Sequence, residues 1–369
     1  MKIEIRLNML PINANRLTVS QSTEFPASSH TSHFPERIKS IQNISELSPH
    51  LSETKSVKRN RLKLKLDILA TVQRSEFDKL LEKTNALIDE KNIEYDTENR
   101  GQRYPNIGSA KHTQISIRSA NKSIVSLAAN RLQVGSENLA IRCQYPQDNA
   151  QAIENHLSML MANKTPILVV LASKNEIHGS IFQKDKLPPY FMSNQKYGAI
   201  EVTTRREKKD YKVVPKQINV GEKSLEFSQY KMDIFNGYKK HSIPVIHVTN
   251  WDDGGTVTTE ELVKLNQLIR VINEGRLFEL YKNQGVEIEG ENKPLPVIHC
   301  KAGVGRTGVL AACMQWRKAE NKLSMENIVL ALRETGSPNM VQNEAQYRQL
   351  QEFTNAPLSP TKTSSKWAF

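Results

Sequence analysis

Cys300 and Arg306 sit six positions apart in "VIHCKAGVGRTG", residues 297 to 308, where an apolar run enters a glycine-rich turn. Val297 and Ile298 read as a buried strand that delivers Cys300 to that turn. Gly303, Gly305 and Gly308 permit positive φ or a close backbone approach there. Successive backbone N–H groups in such a turn can point inward as an anion nest, and a helix beginning at its end adds partial positive charge. A phosphate dianion fits the nest, and the same field favours a thiolate over a thiol at Cys300. Arg306 supplies a planar fork suited to bidentate phosphate recognition. The chemistry implied is attack by the Cys300 sulfur on phosphorus. The amides of Lys301, Ala302, Gly303, Val304, Gly305 and Arg306 would hold the equatorial oxygens.

The elements that must position this loop are legible as periodicities. "RSEFDKLLEKTNALIDEK" has helical spacing at Phe77, Leu80, Leu81 and Leu87, with Ser75 as N-cap. Asn149 to Met161 reads as a helix and "TPILVVLAS" as a short buried strand. "AIEVTT", "IPVIHVTNW" and "PLPVIHC" are further strands, and Thr258 to Asn283 is a long helix. A helix is expected from Gly305 to Asn321, with one or two more ending near Phe353. Strands alternate irregularly with helices, so the expected fold is one α/β domain without a strictly parallel doubly wound sheet. Its predicted span is residues 67–355.

Residues 1–66 are predicted to be largely disordered, being rich in Ser, Thr, Asn and Pro, and residues 356–369 form a flexible tail. Within the N-terminal region, "KIEIRLNM" and "RLKLKL" alternate polar and apolar residues, as a strand or a sheet-adding segment would. The 369 residues carry 51 Lys+Arg against 39 Asp+Glu, a net charge of +12 that favours anionic partners. No zinc-ligand spacing, RNP-like aromatic motif or helix-turn-helix pattern promotes nucleic acid as that partner. Three cysteines, Cys143, Cys300 and Cys313, make no disulfide framework and suit a reducing compartment. No apolar run reaches the roughly 18 residues of a membrane span, and the start has no apolar signal-peptide core.

The pattern HCxAGxGRTG resembles the signature of the protein tyrosine phosphatases, and its segments "VLASKNEI", "YGAIEV" and "IPVIHVTNWDD" look like those of the type III secreted bacterial effector branch. The resemblance covers about Asp67 to Phe353. It implies a twisted mixed central sheet flanked by helices, and a two-step, metal-free reaction through a phosphocysteine, needing no cofactor. It further implies that His299 holds the loop and tunes the thiolate through hydrogen bonds, and that Thr307 eases departure of the sulfur. The family's general acid lies in a W-P-D loop. Here the matching residues are Trp251, Asp252 and Asp253, with aspartate in place of proline, so Asp253 is the expected acid and Asp252 a second candidate. "RYPNI" resembles the phosphotyrosine-recognition loop, making Tyr104 the residue that stacks on the substrate ring and Asn106 a further contact. "MVQNEAQ" resembles the loop whose glutamines, Gln342 and Gln346, place the hydrolytic water. "LVVLASKNEI" resembles the segment whose glutamate, Glu176, braces the signature arginine, and Glu176 and Trp251 are grouped with the substrate-binding set.

Expected partners are phosphotyrosine proteins. In the effector branch the polar N-terminal region carries an export signal and a chaperone-binding segment, which implies secretion without a cleaved signal peptide and action in a host cytoplasm. Two other readings stay open. Lys301 beside the cysteine suits a dual-specificity or phosphoinositide phosphatase, and the Asp252 departure suits a phosphotyrosine-binding pseudophosphatase.

Overall fold

The computed structural model describes residues 74–98, 102–119, 123–179, 187–212, 224–286, 290, 292–318 and 322–355. The expected N-terminal disorder, the two alternating segments, residues 67–73 at the expected domain start and the tail 356–369 lie outside the described residues.

Helix α1 (Glu76–Lys91) starts at Ser75, whose side chain accepts from the Asp78 amide while the Asp78 side chain accepts from the Ser75 amide. A small antiparallel pair follows, β1 (Tyr95–Asp96) with β2 (Ser109–Ala110). The nine strands of the main sheet are β3 (Gln114–Arg118), β4 (Ile124–Val134), β5 (Glu137–Cys143), β6 (Leu168–Val170), β7 (Gln195–Tyr197), β8 (Ile200–Lys212), β9 (Glu226–Phe235), β10 (Lys240–Val248) and β11 (Val297–His299). Their order is β3-β4-β5-β11-β6-β10-β9-β8-β7. The four central strands, β5, β11, β6 and β10, run parallel, and the flanks are antiparallel. The sheet is mixed, as expected.

The helices are α2 (Ala150–Ala162), α3 (Lys174–His178), α4 (Thr259–Gln284), α5 (Gly305–Trp316), α6 (Met325–Thr335) and α7 (Glu344–Asn355). Asn149 caps α2 and Thr258 caps α4 through a reciprocal bond with Glu261. Helix α5 ends at Trp316, short of Asn321: Gln315 is the last buried side chain, and Lys318 turns out to pair with Glu137.

Strand alternation sorts the core into two layers. Ile298, Val169, Leu171, Ile246 and Val248 pack with Leu262 and Leu265 of α4, Val309 and Leu310 of α5 and Ile328 of α6. Val297, Ile141, Leu168, Val170 and Val245 pack on the other side with Ile153, Leu157 and Leu160 of α2. The same alternation carries past the end of β11. His299 follows Val297 toward α2, and Cys300 follows Ile298 toward α5. Among the described residues no helix is long and apolar enough to cross a membrane.

Candidate active site

Four central strands run parallel, so their C-terminal ends open on one edge of the sheet, where open α/β sheets place their ligands. Gln144 leaves β5 there, Leu171 to Glu176 leave β6, Trp251 and Asp253 leave β10, and Cys300 leaves β11. The sequence-predicted residues on these loops are brought together around Arg306 and Cys300.

Hydrogen bonds draw the signature loop's carbonyls outward. The Leu171 amide donates to the His299 carbonyl at 2.8 Å and the Tyr145 amide to that of Lys301 at 3.0 Å. The Val304 carbonyl accepts from the amides of Gly308 at 2.8 Å and Val341 at 3.3 Å, and that of Cys300 faces His299 Nδ1 at 3.1 Å. A trans peptide holds C=O and N–H on opposite sides. The amides of Lys301, Ala302 and Gly305 are thereby turned the other way, and the Gly303 amide donates to Cys300 Sγ at 3.3 Å. Of the three expected glycines only Gly303 has positive φ, +72°. A Cβ there would lie 2.1 Å from the Cys143 carbonyl oxygen, so no side chain fits. At Gly308 the requirement is close approach alone: a Cβ would lie 2.5 Å from the Val341 amide nitrogen.

Arg306 is wholly enclosed and ties the segments leaving β6 and β10 to the signature loop. Nη1 donates to the carbonyls of Leu171 (2.9 Å) and Trp251 (2.7 Å) and to Glu176 Oε2 (2.7 Å), while Nη2 donates to Glu176 Oε1 (2.9 Å) and Asp253 Oδ1 (2.9 Å). Burial opposes its charge, but the Glu176 hydrogen bond and the Cys300, Glu176 and Asp253 charges hold the guanidinium pKa above its ordinary value. Burial would raise the Glu176 carboxyl. Hydrogen bonding and charge from Arg306, with bonds from Ser173, hold it below the usual value instead. Glu176 therefore acts behind Arg306, its two oxygens taken by the guanidinium and by the Ser173 amide. Trp251 is likewise buried, its Nε1 donating to the Gly255 carbonyl at 3.0 Å, so it shapes the acid loop.

Asp253 is more than half exposed even while touching Arg306. Asp252 beside it is exposed too. Tyr104 is half-buried with Lys301 Nζ 5.7 Å from its ring centroid, and Asn106 lies exposed two residues on. Gln342 is exposed and Gln346 buried; a Cβ at Gly305 would lie 3.1 Å from Gln342 Oε1 and 2.9 Å from Gln346 Nε2, so both side chains reach the start of α5. Arg306 Nε, Thr307 Oγ1 and Gln346 Nε2 are buried with no partner among the described residues, leaving three unspent groups at the loop.

Four supporting residues escaped the sequence reading. Gln144 clamps Tyr104, accepting from its amide at 2.9 Å and donating to its carbonyl at 3.1 Å. Asn343 joins the acid loop to the glutamine loop, donating to the Gly254 carbonyl at 3.0 Å and accepting from the Gln346 amide at 2.9 Å. Buried Arg333 donates to the carbonyls of Met340 and Val341, holding Val341 at φ +59°, where a β-branched residue is strained. Tyr190 donates or accepts at His299 Nε2, 2.7 Å away. Only Asn343, inside "MVQNEAQ", adjoined a recognisable motif. The hydrogen bonds of His299 go to Tyr190 and to the Cys300 carbonyl, so His299 holds the loop through its backbone.

Burial pushes His299 and His247 from an ordinary 6.5 down to about 4, and holds His156 well below its ordinary value. A histidine neutral in the fold but protonated at 6.5 when unfolded stabilises the fold fully above pH 6.5, and that contribution is lost as pH falls toward 4. Each of His247 and His299 contributes about 3 kcal/mol by this route. The urea midpoint is expected to fall steeply between pH 6.5 and 4; a midpoint unchanged across that window would contradict the buried neutral state.

Among the described residues no group of three or more His, Cys, Asp or Glu is placed to hold a metal ion. The chain is 35% identical over 223 residues to the tyrosine-protein phosphatase YopH of Yersinia pseudotuberculosis, a match covering 60% of this chain and 44% of YopH. It is 27% identical over 264 residues to the secreted effector protein SptP of Salmonella paratyphi A, covering 70% of this chain and 44% of SptP. The chain thus spans under half the length of these curated relatives. The crystal structure of the catalytic domain of human protein tyrosine phosphatase non-receptor type 18 superposes with a TM-score of 0.58 at 16% identity, covering 79% of this chain and 97% of that one, a likeness of fold. With the family model for protein-tyrosine phosphatase matching residues 98–355, which hold every site residue described above, the chain belongs to the protein-tyrosine phosphatase family.

Proposed function

We propose that this chain hydrolyses phosphotyrosine in proteins through a phosphocysteine. The observation that carries the reading is the guanidinium of Arg306, which joins Asp253 to the loop whose Gly303 amide donates to Cys300 Sγ. The Cys300 thiolate attacks phosphorus as the P–O bond to the tyrosine ring breaks, and Asp253 gives its proton to the departing phenolate. Water positioned by Gln342 and Gln346 then attacks phosphorus and passes its proton to Asp253. Inorganic phosphate leaves as the S–P bond breaks and the thiolate is restored, the buried and unpartnered Thr307 Oγ1 serving to steady the sulfur. Arg306 and the loop amides hold the equatorial oxygens in both steps.

Tyr104 sets the depth of the cleft and favours an aryl ester over a short phosphoserine. Lys301 supports this reading over the phosphoinositide one, because its ammonium lies over the Tyr104 ring and is not extended into the loop. By analogy with the secreted effector SptP, the substrates are host phosphoproteins, and the N-terminal residues serve export and chaperone binding.

The test is p-nitrophenyl phosphate turnover across pH. Asp253→Asn is expected to lower kcat by about 10²-fold or more and flatten the limb that reports the acid, as general acid catalysis of that size requires. Asp252→Asn is expected to stay within a few-fold of the parent. A larger loss from Asp252→Asn would move the acid one residue, and faster turnover of a phosphoinositide than of a phosphotyrosine peptide would move the substrate class.

A further inference from the structure

His299 is held from behind by a chain of buried polar groups that ends on α2. His299 Nε2 lies 2.7 Å from the Tyr190 hydroxyl, and the same hydroxyl lies 3.0 Å from His156 Nε2. His156, Tyr190 and His299 are all buried. Tyr145 stands edge-on to His299 with centroids 4.9 Å apart and to Tyr190 at 5.6 Å, and its own hydroxyl donates to the Pro188 carbonyl. The rings cannot turn without displacing one another.

The proton order in this chain has one consistent solution. The Cys300 carbonyl only accepts, so His299 Nδ1, 3.1 Å away, carries the proton. With the imidazole neutral, Nε2 has only a lone pair and must accept from Tyr190. Tyr190 has a single hydroxyl proton, and it is now spent. His156 Nε2 must therefore be the N–H form that donates to the Tyr190 oxygen. Were His156 in the other tautomer, Tyr190 would turn its proton to α2. His299 Nε2 would then have to donate, leaving its Nδ1 lone pair against the Cys300 carbonyl. The Cys300 carbonyl shares a rigid peptide plane with the Lys301 amide, the first amide of the anion loop.

We infer that His156 is a positioning residue for the reaction: by donating to Tyr190 it fixes the His299 tautomer, and through the Cys300 carbonyl it aims the Lys301 amide at the phosphoryl group. This rests on the phosphatase reading above. In the full chain, His156→Leu is expected to lower kcat about 10-fold, the effect of one lost hydrogen bond in the transition state, with KM within two-fold. His156→Gln, whose side-chain amide can donate where Nε2 did, is expected to recover at least half of the parent kcat. In the Tyr190→Phe background, His156→Leu should change kcat less than two-fold, because the path to His299 is already cut.

Parent-like kcat for His156→Leu, no recovery with His156→Gln, or full additivity with Tyr190→Phe would each overturn the inference. If His156→Leu fails to fold, His156→Asn takes its place, since its shorter amide falls short of Tyr190 while remaining polar. An inactive parent overturns the phosphatase reading alone. The same comparison then runs on the rate at which iodoacetate alkylates Cys300, with the same outcomes deciding it.

Discussion

Cys300→Ser is expected to lower p-nitrophenyl phosphate turnover by about 10⁴-fold or more while leaving phosphotyrosine-peptide binding in place. The loss follows from the nucleophile: an alcohol is far less acidic than a thiol and does not ionise to a useful extent near neutral pH. Retention of binding follows from geometry. The loop's carbonyls are anchored by hydrogen bonds from Leu171, Tyr145, His299, Gly308 and Val341, and none of these bonds runs to the sulfur, so the amides keep their aim without it. Arg306 is fixed by Glu176 and by the Leu171 and Trp251 carbonyls in the same way. Iodoacetate provides the companion measurement. Cys143 and Cys313 are buried, and burial pushes the Cys143 thiol up to about 12 and Cys313 higher still, so neither competes as a thiolate. Labelling is expected at Cys300 alone and none in the Cys300→Ser protein. Residual turnover above a few per cent of the parent would mean that another group attacks phosphorus.

How much of this was legible beforehand depends on whether a residue's role is local. The signature loop is local: strand, turn and helix are consecutive, and its glycines and arginine act within twelve residues, so residues 297 to 308 announce the chemistry. The buried strands at Leu168–Val170 and Val297–His299 were readable because central parallel strands are apolar on both faces. The capped helices α1, α2 and α4 were readable because Ser75, Asn149 and Thr258 precede apolar periodicity. Gln144 was not. Its role exists only because β5 ends beside the 102–107 turn, a neighbour set by sheet order and unmarked by any pattern near Gln144. Tyr190 and His156 are 34 residues apart and meet over His299 only once α2 packs on the sheet. Either one, read alone, is an ordinary core aromatic. Arg333 reads as a surface helix charge, yet it is buried because Val341, at positive φ, turns its carbonyl inward and needs a donor. Glu176 reads in the sequence as the brace of Arg306 and meets that guanidinium with both oxygens, while it and Trp251 were also grouped with the substrate contacts. The fold shows them one layer back, acting through the guanidinium and the acid loop.

Arg306→Lys is the sharpest test of that second layer. A lysine has one ammonium where Arg306 presents a fork, and the fork meets Glu176 with two nitrogens while also reaching Asp253 and the Leu171 and Trp251 carbonyls. The ammonium cannot satisfy that set and still face phosphorus, so kcat is expected to fall about 10³- to 10⁵-fold, the range an arginine supplies in phosphoryl transfer. Glu176→Ala approaches the same group from behind. It leaves a fully enclosed guanidinium without its bidentate partner, a change that costs about 3–5 kcal/mol when one member of a buried pair is removed. Some of that cost is recoverable, because Asp253 is a carboxylate already at 2.9 Å and can be drawn further in. An Asp253 held that way is a poorer proton donor, so Glu176→Ala should lose turnover as well as stability, with its pH profile distorted on the acid limb. Glu176→Gln, which keeps the shape and a single acceptor, should fall between parent and alanine in both. A Glu176→Ala protein that melts early yet turns over at the parent rate would show that the carboxylate only supports the fold and leaves Asp253 undisturbed.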